Sequence, residues 1–153
     1  MMTRWTIPGL LVAALAGCTR SSPAPEPKPR YGAVMAEVGQ RFERAGRAAS
    51  VGRFELAGFE VGELDELFTE DLPRAELPKE GSSAALATEA DAFAKTYPDR
   101  LKKAAAARDL GAFRDAFRDA AAACNACHQA SGHGFIEIPT VPGKPVPNLD
   151  PAP

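Results

Sequence analysis

Cys124-Asn125-Ala126-Cys127-His128 constrains this chain more than any other stretch. Two thiols three residues apart, followed at once by an imidazole, form the signature of covalent haem c attachment. Each thiol adds across one vinyl group of a porphyrin, and the adjoining imidazole reaches the iron from one face. On a helix, positions 124, 127 and 128 are related by i, i+3 and i+4, so their side chains share one stripe. Phe113, Phe117, Ala120 and Ala121 extend that stripe toward the N-terminus, which predicts a helix around the motif. The chain has three cysteines and two histidines, and most of that supply lies in this window.

Two other chemistries share these residue types. A thioredoxin-like CxxC would lie beside a βαβ pattern, and no strand pattern precedes this one. A structural zinc site needs four nitrogen or sulfur ligands. Cys124, Cys127, His128 and His133 would be that set, crowded together instead of laid out as two separated pairs. A non-haem thiol or zinc protein is therefore the remote alternative.

Residues 1–17 read as an export leader. Arg4 supplies its positive start, and Leu10 to Ala16 an apolar core too short to span a bilayer. Its end, Leu15-Ala16-Gly17-Cys18, resembles a bacterial lipoprotein box. That resemblance implies cleavage before Cys18, lipidation of Cys18 and a periplasmic, membrane-anchored protein. Thr19 after the cysteine is similar to the pattern of lipoproteins sent to the outer membrane. Several acyl chains on one residue anchor firmly where a single chain is marginal. Residues 18–30 continue as a tether with proline at 23, 25, 27 and 29, a composition that favours extended polyproline II geometry. Loss of the leader leaves 17 basic against 20 acidic residues, a net charge of −3. Nothing there favours nucleic acid, and membrane contact is expected from lipid, not from a basic face.

Residues 31–130 form one helical domain by pattern. Tyr31, Val34, Met35, Val38, Phe42, Ala45 and Ala49 recur at three- and four-residue steps, and Gly52 stops this first helix. A second helix is expected from about Arg53 to Asp71, with Phe54, Ala57, Val61, Leu64, Leu67 and Phe68 inward. So short a turn makes the two helices antiparallel neighbours. Gly58 and Gly62 within the second helix are expected at points of close approach. Ser82 or Ser83 caps a third helix that continues past Pro98 with a kink or short break, and Asp109 caps the fourth. Residues 131–153 hold six prolines and read as a non-helical tail. Phe135, Ile136 and Ile138 are expected to fold back over an apolar edge, with the chain mobile from Pro142 onward.

Four helices with haem near the end of the last resemble the cytochrome c′ type of class II cytochromes c. The likeness rests on Tyr31-Gly32-Ala33-Val34-Met35, the Glu-rich second helix and the terminal CNACHQA. It covers about Tyr31 to Ile138 and implies an antiparallel four-helix bundle holding haem between the first and fourth helices. The family's thioether cysteines match Cys124 and Cys127, and its proximal histidine matches His128. In low-spin members a methionine near the start of helix one is the second axial ligand, and Met35 is the residue that matches. Pairing of two copies, frequent in that family, is among the assemblies implied.

Met35 also stands on its own chemistry. Core methionine is usually adaptable filling, but here it lies on the inward stripe, in the first turns of a helix whose start adjoins the end of the fourth. Met1 and Met2 fall in the leader. His133, on a Gly-flanked turn five residues past His128, would meet a haem edge sooner than the opposite face. A His/Met iron changes little on one-electron transfer, so the leading expectation is an electron carrier. A gas-binding haemoprotein with an open or displaceable sixth site is the alternative. The acidic second helix reads as a solvated face, or as one that steers a redox partner with a basic face. No nucleophile constellation, acid–base pair or phosphate loop argues for an enzyme.

Overall fold

A computed structural model of the chain describes residues 27–78 and 83–143. The leader, Cys18, most of the tether, Ser82 and the last residues of the tail fall outside the described residues.

The described chain is all-α, a bundle of four long helices with no strand among the described residues. The first, α1, spans Tyr31–Ser50 and buries Val34, Val38, Phe42, Ala45 and Ala49 at the expected steps. It ends where Gly52 takes a φ of +78°, left-handed backbone that glycine adopts without strain. The second, α2, spans Phe54–Glu66. Leu67–Asp71 then widens into a π turn, and Leu72–Arg74 adds a last α-helical turn. Helical geometry therefore passes Asp71, its expected end, and takes in Pro73. The third, α3, spans Ser83–Ala106 with Pro98 inside it and no break. The fourth, α4, spans Leu110–Ala130. Asp109 Oδ1 accepts from the Ala112 N–H at 3.0 Å, a cap worth about 1 kcal/mol.

α1 packs along α2, α2 along α3 and α3 along α4, while α1 and α4 touch sparsely. Among the described residues, prolines and glycines aside, ten of the twenty-two buried hydrophobic residues are alanines, so cohesion falls to a few large side chains. Phe42 stacks on Phe117 with ring centroids 4.1 Å apart, and Phe113 lies 6.3 Å from Phe117. The close approach expected at Gly58 and Gly62 occurs elsewhere. A Cβ at 58 would meet only Ala105 at 3.8 Å, and one at 62 would meet nothing within 4 Å. At Gly46, by contrast, it would fall 2.7 Å from the Phe117 ring.

Charge joins the same elements. Arg41 reaches Glu37 at 2.8 Å, Glu60 at 3.1 Å and Glu63 at 3.3 Å. Glu60 is buried, so the guanidinium that neutralises it is its replacement for water. Among the described residues no helix is long and apolar enough to cross a membrane.

Candidate functional site

The i, i+3, i+4 spacing of Cys124, Cys127 and His128 brings all three to one wall of an open cleft of about 150 Å³. Helix α4 persists through Ala130, so the stripe is unbroken across the motif. Met35 and Tyr31 line the same cleft from the first turns of α1. The sequence therefore named four residues that the fold brings together: Cys124, Cys127, His128 and Met35.

It missed the rest of the lining. Ala90, Phe93, Thr96 and Tyr97 of α3 form a third wall, and Phe68 enters from the π turn after α2. Phe68 stacks on Phe93 with centroids 4.3 Å apart, and Phe93 meets Tyr97 at 5.1 Å. A π turn carries five residues per hydrogen-bonded step, so it shifts later side chains around the helix. The third helix itself was legible, but not that part of its surface would face a cleft instead of packed core. The open π turn left no sequence signal.

The cleft is apolar and its thiols are held neutral. Burial pushes Cys124 up to about 12, with the neighbouring Cys127 adding to the effect. Cys127 is also raised, first by burial and then by the Glu89 carboxylate at the rim. The Tyr31 hydroxyl moves up for the same primary reason, burial, with Cys127 contributing. Both cysteines are free thiols in this structure. Burial therefore favours the neutral thiol over the thiolate at both positions.

His128 is oriented by backbone. Its Nδ1 lies 2.9 Å from the Ile136 carbonyl oxygen, so that nitrogen carries the proton and donates it. The other ring nitrogen, Nε2, is thereby the lone-pair nitrogen available to a metal, the usual division of labour in a ligating histidine. His133 does not line the cleft. Its Nδ1 sits 3.2 Å from Ser131 Oγ, and its ring meets Phe135 at 6.0 Å. Among the described residues no three of His, Cys, Asp and Glu converge on a point where an ion would sit, so the four-ligand zinc arrangement is not assembled.

The residues suit a haem on three counts: two neutral thiols and an imidazole on one stripe, that imidazole with Nδ1 already engaged, and walls of aromatic, alanine and methionine side chains. Cys124 and Cys127 would hold it, with His128 and Met35 at hand for the iron. The tail departs from expectation in two places. Phe135 is 72% exposed and does not fold inward, whereas Pro142, expected in a mobile end, is buried. Comparison of the chain with family models, with curated proteins and with solved structures returns no match.

Proposed function

We propose that the chain is a c-type cytochrome that carries single electrons, exported to the periplasm and lipid-anchored there through Cys18, with the outer membrane as its destination. The observation that carries the reading is the shared cleft of Cys124, Cys127, His128 and Met35, residues from two helices far apart in sequence. An antiparallel course for the bundle is part of the proposal. It is supported by cross-helix pairs such as Arg41 with Glu60, Arg108 with Glu55 and Arg100 with Asp119, and by the Tyr31 N–H donating to the Glu76 carbonyl at 3.2 Å.

Each residue has a task. Cys124 and Cys127 would hold a haem covalently, each thiol adding across one vinyl group to give a thioether with no leaving group. His128 offers Nε2 while the Ile136 carbonyl keeps its ring from turning. Met35 offers a thioether sulfur from α1, a ligand that favours the reduced state. Phe68, Phe93 and Tyr97 exclude water, which lowers the local dielectric and limits reorganisation around a changing charge. A haem bound there supplies the one-electron couple. The proposal involves no catalysed transformation and no nucleic acid.

Met35→Ala tests the ligand assignment. The holoprotein is expected to lose its six-coordinate spectrum in both oxidation states while keeping covalent haem; an unchanged spectrum removes Met35 from the iron. Ferrous protein with and without carbon monoxide separates electron carriage from gas binding, since a displaceable sixth ligand makes the wild-type spectrum respond. For partners, much of the acidic α2 surface is engaged: Glu60 and Glu63 by Arg41, Asp65 by Lys102 and Glu55 by Arg108. A redox protein with a basic face remains the proposed partner, meeting the carboxylates of Glu66 and Glu70, which pair with no cation among the described residues. Homodimers fall within the same proposal.

A further inference from the structure

Asn125, one of the two residues between the thiols, has no part in holding a cofactor, yet both ends of its amide are hydrogen-bonded. Its Nδ2 donates to the Ile138 carbonyl at 2.9 Å, and its Oδ1 accepts from the Ile138 N–H at 2.7 Å. Both polar groups of one tail residue are thus satisfied by one amide side chain, as a strand neighbour would satisfy them. Two residues earlier, the Ile136 carbonyl accepts from His128. Between Asn125 and His128 the attachment turn holds the tail at two points along one face.

The tail continues as a docked strap. It leaves α4 at Gly132, with φ +79°, and the His133 N–H donates to the His128 carbonyl at 2.7 Å. Ile138 packs against the core, and Pro142 is buried. Pro142 Cα would lie 3.3 Å from a Cβ at Gly46, so the missing side chain on α1 makes room for the strap. Gly143, with φ +85°, closes against Ser50, where a Cβ would fall 2.9 Å from the hydroxyl oxygen. The strap therefore crosses the seam at which α1 and α4 touch sparsely, from the attachment turn to the far end of α1.

We infer that residues 132–143 are a strap that positions the His128 ring, with Asn125 as its clasp and the Gly143–Ser50 contact as its distal anchor. This rests on the reading of His128 as the iron's ligand. Asn125 is a positioning residue. Its two bonds hold Ile138, Ile138 fixes Ile136, and the Ile136 carbonyl fixes which imidazole nitrogen faces the cleft. An open strap leaves Nδ1 to water and the ring free to rotate.

Two variants act at opposite ends of the strap. Asn125→Ala removes the clasp. Gly143→Ala leaves the whole motif intact but strains the anchor, through positive φ and the Ser50 contact. Full-length protein, as its host exports it, is compared in all three forms. The first readout is chymotrypsin cleavage after Phe135, which follows strap opening when opening is fast. Loss of two hydrogen bonds is expected to raise it by about thirty-fold in Asn125→Ala, and Gly143→Ala by about five-fold. The second readout is solvent exchange of the His128 Nδ1 proton by nitrogen-resolved NMR, expected to quicken in the same order. The third is the midpoint potential, expected to shift in both variants at unchanged haem content. If strap cleavage rises while Nδ1 exchange and potential stay at wild-type values, the strap does not position His128 and the inference is overturned. It is also overturned if only Asn125→Ala moves them, since the effect would then be local to the motif. Absence of covalent haem in the wild-type protein would defeat the cytochrome reading separately, and cleavage with Nδ1 exchange would still judge the strap.

Discussion

Replacing Cys124 and Cys127 with serine is expected to abolish covalent haem and to leave a chain that is partly unfolded at ambient temperature. The reason lies in how the core is distributed. Toward the Gly52 end, Ala49, Ala57, Leu101 and Phe113 are fully enclosed by neighbouring helices. At the cleft end Tyr31, Met35, Ala90 and Tyr97 are only partly buried, and they line open space instead of one another. Each large side chain left that way forgoes about 1 kcal/mol of apolar burial. Tyr31, Met35 and Tyr97 together forgo about 3 kcal/mol, a substantial share of the roughly 5–15 kcal/mol that holds a domain of this size. A cofactor in the cleft recovers this area and ties α4 to its neighbours. Without it, the first turns of α1 and the last of α4 should fray, and thermal melting followed by circular dichroism should begin lower and spread over a wider range. A helical content and cooperative melt equal to the wild type's would contradict this.

The second large effect is expected at Phe113, which is the largest side chain among the fully buried residues. Phe113→Ala should cost about 3–5 kcal/mol, since deleting a buried ring loses its transfer free energy and leaves a cavity. Relaxation into that cavity is limited here. Phe117 beside it is held in its stack with Phe42 and pressed against Gly46, and much of the surrounding core is alanine, with no side-chain freedom to give. The loss should appear as a lower denaturation midpoint in urea with an unchanged slope. Haem content and spectrum should stay as in wild type, because Phe113 does not line the cleft. A cost below about 1 kcal/mol would show that the aromatic layer is not what holds this alanine-rich core.

What could be read from the sequence was what depends on neighbours along the chain. Gly52 ended α1 and Asp109 capped α4 because both act within a few residues of themselves. The inward stripes of α1 and α4 followed from periodicity, and the same periodicity put both thiols and His128 on one face. Met35 was legible from its place on the inward stripe in the first turns of α1, joined to a resemblance. What could not be read depended on partners distant in sequence. Asn125 looks like any polar residue until Ile138, thirteen positions later, returns to it. Gly46 has nothing to mark it among the glycines until Phe117 and Pro142 meet at its Cα. Phe68 was legible as inward from ordinary helical spacing, but nothing near it in the chain says that its position borders a cleft. The fold-back at Ile138 was legible, but the strap's course on to Pro142 and Gly143 was missed, since proline-rich composition argues against regular structure without arguing against docking.

The account depends on two thioether bonds, and the mass of the exported, mature polypeptide measures them directly. Protein from a host that matures its other cytochromes should be heavier than its amino-acid sequence and lipid by one haem. After denaturation and digestion, that mass should stay on the peptide holding Cys124 and Cys127, with neither sulfur open to alkylation. A mature chain whose two cysteines both alkylate in denaturant, with no porphyrin mass on that peptide, would contradict the cytochrome assignment outright.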